Sequence, residues 1–272
     1  MSKPLSLWLQ SRILYLIFFA VLSVPFVIPV NIPLEVTQPT IDAYKTIESM
    51  PDGSIAFIAW DFGVMSFPEL YPQALAITRH AIQKDFKFVI ATFWSADGAI
   101  YARKALSEDL DLTGYEYGVD YVHLGFYPGG ATPLTAFAQD IHSLVKVDID
   151  GRPIDDMPLM QQLHDANDFD IWLVGHYSPQ MWPGLIQAPY DATMVCTTDS
   201  GGFIGLLPFY LSGQIKGLLN GCRGAAEYET LLGYSGQGQI VTGVQSFSHV
   251  YLIVAIITCN IFYWRSRMSV KK

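Results

Sequence analysis

The sequence predicts a mostly parallel, doubly wound (Rossmann-like) α/β sheet domain set between two transmembrane helices. Three observations lead there. Five short apolar runs rich in β-branched and aromatic residues recur along the middle of the chain, the pattern of strands buried on both faces. Helical patterns separate them, and strand–helix–strand repetition implies right-handed crossovers and a parallel sheet with helices on both sides. Finally, an eighteen-residue run without charge lies near each end of the 272 residues.

Taken in order, residues 1–12 form a short N-terminus carrying Lys3 and Arg12, and "ILYLIFFAVLSVPFVIPV" (13–30) is the first expected span. Its length is near the lower limit for crossing a bilayer core. No small-x-small cleavage site follows, so it reads as a retained anchor and not a signal peptide. Residues 31–53, with their prolines, read as a linker into an outside domain, 31–247.

The strands are "SIAFIAW" (54–60), "KFVIATF" (87–93), "VDYVHLGF" (119–126), "FDIWLVG" (169–175) and "ATMVCTT" (192–198). Helical patterns occupy roughly 69–84, 97–107, 132–145, 158–166 and 178–186. Ser66 with Glu69 three residues on, and Thr132 before Pro133, mark two helix starts. Residues 147–157 are a polar, turn-rich excursion. The second expected span, 248–264, leads into a basic tail, 265–272. Basic flanks stay in the cytoplasm, so both termini are expected there, with the main domain extracytoplasmic. With no N-x-S/T sequon present, a prokaryotic cell membrane is the simpler home.

Charge excludes one class of partner. Between Glu35 and Glu229 lie all 25 acidic residues but only 10 of the 16 basic ones, a balance of −15 (10 against 25). Nucleic-acid phosphates need a basic surface, so the expected partner is the lipid bilayer and no nucleic acid. The two cysteines outside the spans, Cys196 and Cys222, read as buried thiols more plainly than as a disulfide.

Ligands of such a sheet bind beyond the carboxyl ends of its strands. Those ends deliver Asp61 and Gly63; Trp94 and Ser95; Tyr127, Gly129 and Gly130; His176, Tyr177 and Ser178; and Asp199, Ser200, Gly201 and Gly202. Asp61, His176 and Ser200 are residue types able to form an orienter, base and nucleophile. The G-x-S-x-G elbow that would support this is missing. Gly129, Gly130, Gly201 and Gly202 sit in two Gly-Gly turns whose amides suit an anion. They match neither G-x-G-x-x-G nor the P-loop, so no cofactor is expected. The histidines show no metal-binding spacing, so neither is a metal.

The segment 203–232 reads as a glycine-striped helical segment. Gly213, Gly217, Gly221 and Ala225 recur every fourth residue, giving a smooth face for close approach. It suits the domain's own sheet, the same helix in another subunit, or lipid or a membrane protein, unless a C-cap at Asn220-Gly221 splits the segment. Gly224 keeps the surface small, and Arg223 with Glu227 at i,i+4 is either an exposed helix pair or a pair that fixes the register of a subunit contact. The expected function is therefore a non-catalytic, membrane-anchored envelope component. It assembles with itself or a membrane-protein partner through helix 209–229. The alternative is a membrane-tethered hydrolase or transferase at the carboxyl edge.

Overall fold

The structure, a computed structural model, describes residues 7–27 and 34–270. Its elements in chain order are α1 (Leu7–Val27), α2 (Gln38–Glu48), β1 (Ile55–Asp61), α3 (Phe67–Gln83), β2 (Lys87–Thr92) and α4 (Ala96–Lys104). Then come β3 (Tyr121–Phe126), α5 (Ala131–Gln139), α6 (Ile141–Leu144), β4 (Ile171–His176), α7 (Ala188–Tyr190) and β5 (Met194–Thr198). The chain finishes with α8 (Phe203–Leu211), β6 (Gly217–Asn220), α9 (Gly221–Leu231) and α10 (Gln237–Val270). It divides into two units: Leu34–Gly238, and the terminal segments on either side of it.

Within 34–238 all six strands are parallel, in the order β3-β2-β1-β4-β5-β6. The order reverses between β1 and β4, the topological switch point of a doubly wound sheet. Alternate residues feed two cores. Phe57, Ala59, Trp172, Val174, Met194 and Cys196 pack under α5 and the 154–187 excursion, while Ile58, Trp60, Phe88, Leu173 and Val195 pack under α2, α3, α4 and α9.

Several expectations are corrected. Residues 34–53 hold a helix, α2, where a linker was expected; Pro39 sits in its first turn, where a missing N–H costs nothing. The patterns 158–166 and 178–186 give only 3₁₀ turns, a π-helical turn (Pro183–Gln187) and the three-residue α7. Pro179, Pro183 and Pro189 each stand in the first turn of a new short element and so cut the second pattern into single turns. The excursion closes through a bridge between Val147 and Pro153.

The largest correction concerns 203–232, which is not one helix. Gly213 (φ +80°) follows the end of α8 as a left-handed stop. Gly217 opens the sixth strand, and Gly221 (φ +54°) opens α9. The glycines therefore share no helical face. A Cβ on Gly217 would lie 2.2 Å from Ala43 Cα, so this glycine exists for the approach of α2 to β6. Arg223 and Glu227 do pair, Nε to Oε1 at 2.7 Å. The other Glu227 oxygen accepts the Thr37 amide (3.1 Å) and the hydroxyls of Thr37 (2.7 Å) and Thr40 (2.8 Å), tying α9 to the start of α2.

In the terminal unit α1 and α10 run antiparallel. Tyr251 donates its hydroxyl to the Leu14 carbonyl (2.7 Å) and its ring lies 5.0 Å from Phe18, while Gly243 lies against Pro25. Asn260 satisfies its side-chain amide one turn back, on the Ile256 carbonyl. Among the described residues one helix is long and apolar enough to cross a membrane, residues 237–265, not the two expected. The described apolar stretch of α1, residues 12–27, is too short. Residues 28–30 of the expected first span, Lys3 of the N-terminus, and Lys271 and Lys272 of the tail lie outside the described residues, and α10 continues through 265–270.

Candidate functional site

Because β1 and β4 are adjacent parallel strands in register, Asp61 and His176 are Cα partners at the carboxyl edge of the switch point. Both are fully buried, at 0% and 1% exposure, and both continue the face that carries Phe57 and Trp172. Asp61 Oδ1 accepts the backbone amides of Phe93 (2.7 Å), Trp94 (2.9 Å) and Ser95 (3.3 Å), clamping the loop after β2 onto the end of β1. Its Oδ2 finds no partner within the protein. Burial outweighs the three amides, and the carboxyl is pushed up to about 7.

His176 Nδ1 accepts the Ser178 amide at 2.8 Å, which fixes its proton on Nε2. That Nε2 is buried without a partner within the protein, and burial pushes the ring down to about 4, so it is neutral at pH 7. Tyr177 stacks on the imidazole (4.6 Å) and Trp94 stands edge-on to it (5.0 Å). Trp94 in turn meets Trp182 at 5.5 Å. The His176 ring thus lies between Tyr177 and Trp94, with Trp182 behind Trp94.

Ser200 is held elsewhere. Its amide (2.9 Å) and hydroxyl (2.6 Å) both donate to Glu69 Oε2, and Ser66 Oγ donates to Asp199 Oδ2 at 3.0 Å. The Ser66/Glu69 signature thus sits at a helix start, but neither side chain caps it; Ser66 ties the loop after β1, and Glu69 the first turn of α3, to the loop after β5. The expected triad reduces to a pair, Asp61 and His176, with Ser200 bonded to Glu69. Cys196 is buried with its thiol pushed far up, and Cys196 and Cys222 are both free.

The Gly-Gly turns serve packing. A Cβ on Gly130 would lie 2.7 Å from Trp94 Nε1, and one on Gly202 would lie 2.2 Å from Thr198 Oγ1. The Gly130 amide donates to Phe93 O (3.0 Å) and that of Gly202 to Asp199 Oδ1 (2.9 Å), which spends these two donors inside the fold. Gly129 backs onto Pro133 and Gly201 faces Asp199. Among the described residues no three His, Cys, Asp or Glu side chains gather as a metal site.

One feature of this edge was not legible as a site in the sequence. α8 leaves the β5 loop beside the 3₁₀ turn Pro179–Met181, with Gly205 against Gln180. Its residues Ile204 (76% exposed), Pro208 and Leu211 (73%) turn outward along one helical face. Around it the neighbouring loops expose Met181 after β4, and Val64 and Met65 after β1. The carboxyl edge therefore has a sealed polar floor and an apolar rim. No model of a known protein family matches the chain, and no curated protein matches it.

Proposed function

We propose that the chain is a non-catalytic, membrane-tethered α/β domain that assembles with a second copy of itself through the outer face of α8. The observation that carries this is the exposed row Ile204–Pro208–Leu211, apolar along its whole length on an otherwise acidic domain. Contiguous exposed apolar surface of this kind marks an interaction site. A face without charge suits an equally apolar partner, and a two-fold contact needs only one self-complementary patch. α10 is the anchor in this reading. The basic residues flanking the two apolar segments, Lys3 and Arg12 with Arg265 and Arg267, favour a cytoplasmic side for both flanks in this reading. The α/β domain then lies outside a prokaryotic cell membrane. Gly217, Gly221 and Gly224 pack inside the domain and Gly213 is an exposed left-handed stop, so the contact is assigned to α8 and not to a glycine stripe over 209–229.

The test is oxidative cross-linking in native membranes of Ile204→Cys in a Cys259→Ala background, since Cys196 and Cys222 are buried. The expected product has twice the 30.3 kDa chain mass. A cross-link to a different polypeptide would make the partner heterologous, and no cross-link would remove α8 as the interface.

A second reading, a hydrolase or transferase, is favoured by Asp61 alone. A buried carboxyl pushed to about 7 is poised to exchange a proton near neutral pH. With the Ser200 hydroxyl bonded to Glu69, such a reaction would take water or a second substrate as its nucleophile. Ester or phosphate hydrolysis by the solubilised chain that disappears in Asp61→Asn would establish it.

A further inference from the structure

The middle of β3, an edge strand two places from the strand of Asp61 and three from that of His176, carries a second concentration of unsatisfied chemistry. His123 is only 2% exposed, yet neither ring nitrogen finds a partner within the protein. Leaving a buried donor and a buried acceptor unpaired is costly, and native folds seldom do so without a use. The imidazole lines a cavity of about 250 Å³, together with Tyr117, Tyr121, Arg103 and Asp150. Burial holds the ring neutral near pH 7, so it offers one N–H and one lone pair.

The backbone here departs from regularity on both sides. α4 continues as a π-helical turn, Ala105–Asp109, whose Leu106 and Ser107 form one wall; single π turns recur at functional sites. In the sheet the β2–β3 register slips between Ile90 and Ala91, and Gly125, at φ +88°, packs against Ile149 of the cavity lining.

We propose that this groove binds a small neutral polyol of the monosaccharide class. The cavity falls below the roughly 300–1,000 Å³ typical of drug-sized ligands, which limits the occupant to a small molecule. Arg103 and Asp150 are paired at its mouth, so the lining carries no net charge to select an ion. A hydroxyl is both donor and acceptor, so two neighbouring hydroxyls satisfy both imidazole nitrogens. Tyr117 and Tyr121 meet edge-to-face at 5.2 Å and supply the apolar surfaces against which C–H faces of a sugar ring pack.

The test is a titration of the full-length chain in detergent, labelled with ¹⁵N at histidine, with D-glucose, D-galactose and, separately, inorganic phosphate. A sugar is expected to move the His123 ring signals while phosphate leaves them in place. His123→Leu removes both nitrogens at similar volume and breaks no hydrogen bond within the protein. It should fold as well as the native chain and lose at least about 10-fold in sugar affinity. Should it fail to fold, Arg103→Gln, at an exposed side chain, is expected to weaken the sugar likewise. The proposal is overturned if neither sugar moves His123, if phosphate alone does, or if the folded variant binds sugar as tightly as the native chain.

Discussion

Asp61 and His176 face each other in register across the β1–β4 switch point, each buried and each with one side-chain atom lacking a protein partner. Their linkages have opposite signs. A carboxyl raised from 3.8 to about 7 contributes stability that is fully present below pH 3.8 and lost as pH rises toward 7. An imidazole lowered from 6.5 to about 4 contributes stability present above pH 6.5 and lost as pH falls toward 4.

Asp61→Asn separates the two. Asparagine keeps an oxygen for the amides of residues 93–95 and removes the titration. The difference in melting temperature between variant and native chain should be small near pH 4 and should widen in favour of the variant up to pH 7. As a stability difference, the effect reaches on the order of 4 kcal/mol, from about 1.4 kcal/mol per pKa unit. A difference that stays constant with pH would mean the native carboxyl is ionised throughout.

Gly217 has a packing role that reverses the expectation for a helical glycine. In a helix Gly217→Ala would add about 1 kcal/mol of stability, and Gly217→Leu would leave a folded monomer. At the start of β6 the added Cβ meets the α2 backbone at Ala43, so Gly217→Ala should destabilise by about 1–3 kcal/mol and Gly217→Leu should prevent folding. Gly213→Ala meets open space but a positive φ, and should cost only about 1 kcal/mol. Thermal melting of the three variants checks the ranking.

Glu227 is a tie within the chain. Glu227→Ala strands three donors from residues 37 and 40 and should cost about 2–4 kcal/mol, since hydrogen bonds to a charged group are worth about 1.5–3. Arg223 is half exposed, so Arg223→Ala should cost less than about 1 kcal/mol. Neither change should alter the size of the native complex. A smaller complex from Arg223→Ala would return this pair to an interface.

How much of this was legible follows from the kinds of signal involved. The five strands announced themselves because strands buried on both faces are continuous apolar runs, and Asp61 and His176 were found simply as the residues at two strand ends. The sixth strand was not found. "GLLN" is four residues long, and the glycines before and after it fall by chance at helical spacing. α2 was hidden by prolines that suit a first turn as well as a linker. Ser66 and Glu69 matched a capping box in sequence, but tertiary partners at Asp199 and Ser200 outcompeted the local ones. The outer face of α8 was unreadable for a simpler reason: in "FIGLLPFYL" every position is apolar or small except Tyr210, so nothing distinguishes buried Leu206 from exposed Ile204 and Leu211.

The central claim is that this exposed row is where copies of the chain meet, and the most direct measurement is the native mass of the complex extracted from membranes for Ile204→Lys/Leu211→Lys. Both side chains point outward, and surface substitutions are usually within about 0.5 kcal/mol of neutral. The account predicts an unchanged melting temperature together with a complex reduced to the single chain. A complex of unaltered mass at unaltered stability would contradict it.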